Sequence, residues 1–173
     1  MCPLTTDIQR SARFYYLQKL CFGGRMVNPS FGTATTRPPR LNLLRIEEEL
    51  SAAHLRLARV FVENLPYSAV IARYDRPTTF FYIDPPYWGC EDYYGKTLFS
   101  RDDFTNLVEQ LKSLQGQFIV SLNDTPEVRT LFAGFHLQPV TCRYSVSRQA
   151  RPQAKELLIG NFAPSTEGVA LDA

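Results

Sequence analysis

The run Thr79-Phe80-Phe81-Tyr82-Ile83 is cut off by Asp84-Pro85-Pro86-Tyr87, and no other feature restricts this chain so tightly. β-Branched and aromatic residues in unbroken series read as a buried strand. Proline ends such a strand, because it has no N–H to give the ladder and its φ is fixed. Two prolines together force the chain out of the sheet at one defined point. That point is the carboxyl end of a buried strand, where open α/β sheets hold ligands. Average composition yields this tetrapeptide by chance in roughly one chain per thousand of this length. Read as structure alone, it is a rigid turn in which Asp84 caps the next segment.

The elements around that strand follow from periodicity. Residues 5–20 carry Ile8, Ala12, Tyr15, Tyr16 and Lys19 at helical spacing. Residues 21–40 form a long loop rich in Gly, Pro, Thr and Arg, and loops of that length usually carry function. From Asn42 to Arg59, Leu43, Ile46, Leu50, Ala53 and Leu57 mark one face of a helix, with Glu47 to Glu49 early and Arg56 and Arg59 late. A short strand is expected at Val60 to Glu63, then a helical turn within Pro66 to Arg76. Ser100-x-x-Asp103 opens a helix containing Phe104, Leu107, Val108, Leu111 and Leu114. Gln117 to Leu122 is an apolar strand, and Asp124-Thr125-Pro126 starts a short helix that Gly134 ends. Phe135 to Ser145 and Lys155 to Phe162 close the pattern as two strands. Apolar strands alternating with helices predict an α/β sheet covered on both faces.

A chain of 173 residues has room for one domain with at most a small second lobe. With 45% apolar and 21% charged residues it falls outside the disordered class. No run of about 18 apolar residues exists, which excludes a membrane-spanning helix. The first twenty residues are neither a signal peptide nor a lipidation motif. Cys2, Cys21, Cys90 and Cys142 are widely spaced without adjacent His, so no metal site is expected and a reduced, cytoplasmic setting is the default. Charge is uneven: residues 1–45 carry seven Lys/Arg against the single acid Asp7. Residues 128–154 are acid-free and contain Arg129, Arg143, Arg148 and Arg151. Two basic zones on a near-neutral chain suit a polyanion, although solvated surface arginines would give the same pattern.

The chemistry of Asp84-Pro85-Pro86-Tyr87 suits an exocyclic amine on a nucleobase. Such a nitrogen is a poor nucleophile because its lone pair is delocalised into the ring. Acceptors placed at its two N–H groups localise the pair again. Asp84 offers a carboxylate oxygen and Pro85 a rigidly held carbonyl. Tyr87 offers a ring on which an extruded base stacks. A methyl donor in line with the nitrogen then needs only positioning.

With these residues the chain resembles the D12-class adenine-N6 DNA methyltransferases, the group of the Dam-type enzymes, and most closely their short prophage-encoded members. The likeness runs from about Ser11 to Phe162. It rests on Arg13-Phe-Tyr-Tyr-Leu-Gln with Cys21-Phe-Gly-Gly, on Asp84-Pro-Pro-Tyr, on Ile119-Val-Ser-Leu-Asn-Asp and on Glu156-Leu-Leu-Ile-Gly-Asn-Phe. The resemblance implies a cytoplasmic enzyme, often part of restriction–modification, that uses S-adenosylmethionine on double-stranded DNA. It implies that Asp84, Pro85, Pro86 and Tyr87 hold the target adenine. It makes Asn64 and Leu65, with Asp84, the candidates for cofactor contact. Arg25, Asn28, Arg37 and Arg40 in the loop, with Asn123, become candidates for DNA contact. For Ser121-Leu-Asn-Asp124, shaping the base pocket and capping a helix at Asp124 stand side by side.

Two departures from the family pattern shape the expected fold. The chain has no Gly-x-Gly, so the family's cofactor loop is missing, and the base-reading loop is short. The fold class is therefore α/β: an incomplete Rossmann-like methyltransferase sheet with a small helical and loop region for DNA recognition. Residues 1–59 form that region, 60–162 the carboxyl-terminal part of the sheet domain, and 163–173 a tail. Without a central first strand, the Val60–Glu63 strand lacks neighbours. Either the chain rearranges, or a separate amino-terminal methyltransferase fragment supplies the strands, or this is a decayed prophage frame. Two other functions compete: a non-catalytic DNA-binding pseudo-methyltransferase, and an amine methylase acting on RNA or protein.

Overall fold

The computed structural model describes residues 6–21, 41–91, 98–143 and 153–163. Arg25, Asn28, Arg37 and Arg40, the Gly23-Gly24 pair, Arg148 and Arg151 lie outside them. The chain forms two compact units, Met1–Asn64 and Leu65–Ala173.

In the first unit, α1 (Asp7–Leu20) starts with a capping box, Thr6 and Gln9 bonding reciprocally. A 3₁₀ turn, Leu43–Arg45, leads into α2 (Ile46–Leu57). Glu49 on α2 accepts from Tyr15 Oη and from Lys19 Nζ on α1, each at 2.6 Å. Lys19, then Tyr15, holds the Glu49 carboxyl below the usual carboxylate range. Neither helix buries a residue, and Ile8, Leu44 and Leu55 are exposed. The expected strand at Val60–Glu63 does not form: residues 60–64 have no ladder partner, and Phe61 is 90% exposed. A strand cannot persist on propensity alone when no neighbour takes its N–H and C=O groups.

The second unit is built on a four-stranded sheet of β1 (Phe80–Ile83), β2 (Gln117–Asn123), β3 (His136–Arg143) and β4 (Gln153–Gly160). The order is β1-β2-β4-β3, with β1 parallel to β2 and the other pairs antiparallel. Among the described residues three helices accompany it: α3 (Tyr67–Tyr74), α4 (Arg101–Lys112) and α5 (Pro126–Leu131). The capping box of α4 forms as expected, with Asp103 Oδ2 accepting from the Ser100 N–H and hydroxyl at 2.8 and 2.7 Å. α5 starts at Thr125, whose hydroxyl accepts from the Val128 N–H. The cap is thus Thr125 and not Asp124, because Arg129 grips the Asp124 carboxylate by two bonds of 2.6 and 2.8 Å.

Register fixes the core. Phe81 and Ile83 align with Phe118 and Val120, and Val120 and Leu122 with Ile159 and Leu157. Strand alternation puts these on one face, and they pack with Ile71, Phe104, Leu107, Leu111, Val128 and Phe132 from the helices. Phe81 and Ile83 are half-buried; the fully buried side chains among these, such as Phe104, Phe118, Val120 and Leu122, each contribute about 1.5–3 kcal/mol. On the opposite face Phe80 and Tyr82 of β1 are 53% and 63% exposed, whereas Ser121 of β2 and Glu156 of β4 are buried, so the described residues leave that face open at β1 and cover it further along the sheet. At one edge β1 pairs only with β2.

Candidate active site

Asp84-Pro85-Pro86-Tyr87 leaves the carboxyl end of β1 with Asp84 exposed and the next three residues half-buried. Tyr87 to Cys90 then makes a turn closed by the Cys90 N–H donating to the Tyr87 carbonyl at 2.8 Å. Gly89 is its third residue, at φ 86°, the left-handed region that a type II turn requires there. The turn brings Trp88 over the amino-terminal part of α4. Its ring lies 5.1 Å from Phe104, and the Arg101 guanidinium sits 4.9 Å from its centroid. Phe104 in turn meets Phe99 edge-on at 4.9 Å.

The sheet reaches up to this segment from below. Tyr87 Oη donates to Glu156 Oε1 on β4 at 2.6 Å. The Trp88 N–H donates to Asn123 Oδ1 at 2.9 Å, and Asn123 Nδ2 donates to the Trp88 carbonyl at 3.0 Å. Glu91 Oε1 accepts from the Gly89 N–H at 3.1 Å and faces Arg101 at 3.7 Å. Beyond β2, Asp124 is held below the usual carboxylate range by its bonds from Arg129. Tyr67 on α3 donates to the Asp103 carbonyl at 3.1 Å, and burial followed by the Asp103 charge pushes its hydroxyl up.

Of the residues expected from sequence, Asp84, Pro85, Pro86, Tyr87 and Asn123 come to one end of the sheet. Asn123, expected at the DNA, uses both halves of its amide on the Trp88 backbone. Asn64 and Leu65 are exposed and fall on either side of the division between the two units. The chain has no Gly-x-Gly, and among the described residues β1 pairs with β2 alone. Glu156 was not expected in the site. Its sequence signal is a lone acid at the head of the apolar run Leu157-Leu158-Ile159, where a carboxylate has no reason to be unless something donates to it.

A mixed α/β sheet with an acidic-Pro-Pro-aromatic arm at a strand end is the frame of a methyltransferase-type fold. The D12 class N6 adenine-specific DNA methyltransferase family matches residues 4–146, and the chain belongs to that family. It is similar to the Type II methyltransferase M.CviBI of Paramecium bursaria Chlorella virus NC1A, 22% identical over 126 residues. That stretch covers 72% of this chain and 48% of the relative, so the chain spans about half the length of the curated relative it matches.

Proposed function

We propose that this chain carries the adenine-holding half of a site-specific DNA adenine-N6 methyltransferase. The observation that carries the reading is Asp84, exposed at the end of β1, with the Tyr87 ring three residues on tied by its hydroxyl to Glu156 of β4. The adenine leaves the helix and stacks on Tyr87. Asp84 and the Pro85 carbonyl accept from its exocyclic N–H groups, which returns the lone pair to the nitrogen. The two prolines keep the carbonyl from turning away, so little reorganisation is needed at reaction. Arg25, Asn28, Arg37 and Arg40 contact the DNA backbone and bases.

S-Adenosylmethionine is the methyl donor this family reading requires, and Asn64 and Leu65 stand as its candidate contacts. Its glycine loop and remaining strands come from elsewhere, along the open edge of β1. The chain alone is therefore expected to bind S-adenosylmethionine weakly and to methylate slowly. The test is transfer of labelled methyl to DNA, RNA and protein in parallel, with Asp84→Ala as the control. Methylation confined to DNA and lost in Asp84→Ala supports the reading. Incorporation that survives Asp84→Ala, or that favours RNA or protein, refutes it.

The unformed strand at Val60–Glu63 favours a second reading, a non-catalytic DNA-binding module. It calls for salt-sensitive DNA binding that ignores both S-adenosylmethionine and Asp84.

A further inference from the structure

Asn123 and Glu156 face each other directly in the antiparallel register of β2 and β4. Residues so paired project from the same face of the sheet. Here the pair reaches two consecutive residues of the motif arm: Glu156 takes the Tyr87 hydroxyl, and Asn123 takes the Trp88 backbone on both sides. One rung of the sheet thus grips the arm by a side chain and by the main chain. The Glu156 residue is only 8% exposed, and its bond from the Tyr87 hydroxyl is short, 2.6 Å. The other end of the arm is fixed by the pairing of Ile83 with Val120. Between the two anchors lie the prolines, whose φ angles are set. Glu156 also lies beyond the residues 4–146 matched to the family.

We propose that Asn123 and Glu156 are positioning residues for the adenine: they set the plane of the Tyr87 ring and the aim of the Pro85 carbonyl before DNA arrives. This rests on the adenine-holding reading above. With its hydroxyl tied to Glu156, Tyr87 presents a ring face in one orientation. A displacement of about an ångström in such a shelf costs on the order of a hundred-fold in rate. Losing this buried bond shifts the balance between held and released arm by roughly ten- to a hundred-fold.

The single tryptophan, Trp88, lies inside the arm and reports on it without substrate. Its emission and acrylamide quenching are measured in the wild type and in Asn123→Ala, Glu156→Leu and Glu156→Gln, with far-UV circular dichroism to confirm folding. Asn123→Ala and Glu156→Leu are expected to shift emission to the red and raise quenching. Glu156→Gln keeps an acceptor oxygen and is expected to stay close to wild type. If Glu156→Leu folds with unchanged Trp88 emission and quenching, the proposal is overturned. The second arm titrates a duplex carrying 2-aminopurine opposite an abasic site and follows quenching of the base on stacking. The expected result is at least ten-fold weaker binding for Glu156→Leu and Asn123→Ala, with Glu156→Gln near wild type. Weakening by Tyr87→Ala but not by either rung variant overturns the positioning role while keeping the adenine reading. Indifference to Tyr87→Ala overturns the adenine reading itself, and the positioning role with it.

Discussion

Replacing Gly116 by alanine places a methyl group where β1 and β2 begin. A Cβ there would lie 2.5 Å from the Thr79 carbonyl oxygen and 3.0 Å from that of Arg76. Ordinary contact starts at 3.4 Å, so the backbone must part by about 0.9 Å. That movement pulls on the Gln117 N–H bond to Thr79 O at 2.9 Å and on the Gly116 N–H bond to Asp75 Oδ1 at 3.0 Å. Overpacking of this kind costs about 1–3 kcal/mol, and two stretched bonds add about 1 kcal/mol. Alanine returns roughly 0.5–1 kcal/mol by restricting the unfolded chain. The net expectation is about 1–3.5 kcal/mol of lost stability, measured by urea unfolding followed through Trp88 fluorescence. Gly134→Ala is the matched control, since a Cβ there meets nothing within 4 Å; it is expected to gain up to about 1 kcal/mol from the restricted unfolded chain. Equal midpoints for the two variants would refute the claim that Gly116 is required for space.

Asp75→Ala removes the acceptor for the Gln115 and Gly116 N–H groups and is expected to cost about 1–3 kcal/mol in the same assay. Ser100→Ala breaks the α4 capping box and should cost about 1 kcal/mol; a loss under about 0.3 kcal/mol would show the box to be incidental. Glu49 ties α1 to α2 with a lowered pKa, so its contribution is full above the ordinary carboxylate range and is lost as pH falls through it. Lys19 and Tyr15 are raised, chiefly by Glu49, so their share is lost only as pH rises past their own ordinary values. Glu49→Gln should therefore flatten the acid side of helix stability followed by circular dichroism, and an unchanged acid side would count against the contact.

What the sequence disclosed was whatever is local. The proline pair ended β1 at Ile83, Ser100 and Asp103 made their box, and Pro126 opened α5. Each depends on residues within a turn of one another. What stayed hidden needed knowledge of neighbours. Val60-Phe61-Val62 has the composition of a strand, but a strand is a property of a pair, and the described residues offer no second member. Asp124 has the type of a helix cap, yet Arg129, one turn on, competes for the same oxygens and wins with a forked bond. Glu156 and Tyr87 are 69 residues apart in sequence, and only the register of β4 against β2 brings them together.

β1 has a consequence for how this protein behaves as a material. Its four residues, Phe-Phe-Tyr-Ile, hold no charge and no proline, and one edge of the strand is open among the described residues. Sheet edges in soluble proteins are normally defended by lysines, prolines or bulges against pairing with a stranger. An undefended edge selects for a permanent companion over a passing one, because every moment uncovered is a chance to join another copy. Handled alone at high concentration, the chain should thicken into edge-to-edge assemblies, and a lysine at Tyr82, on the exposed face, should keep it in solution.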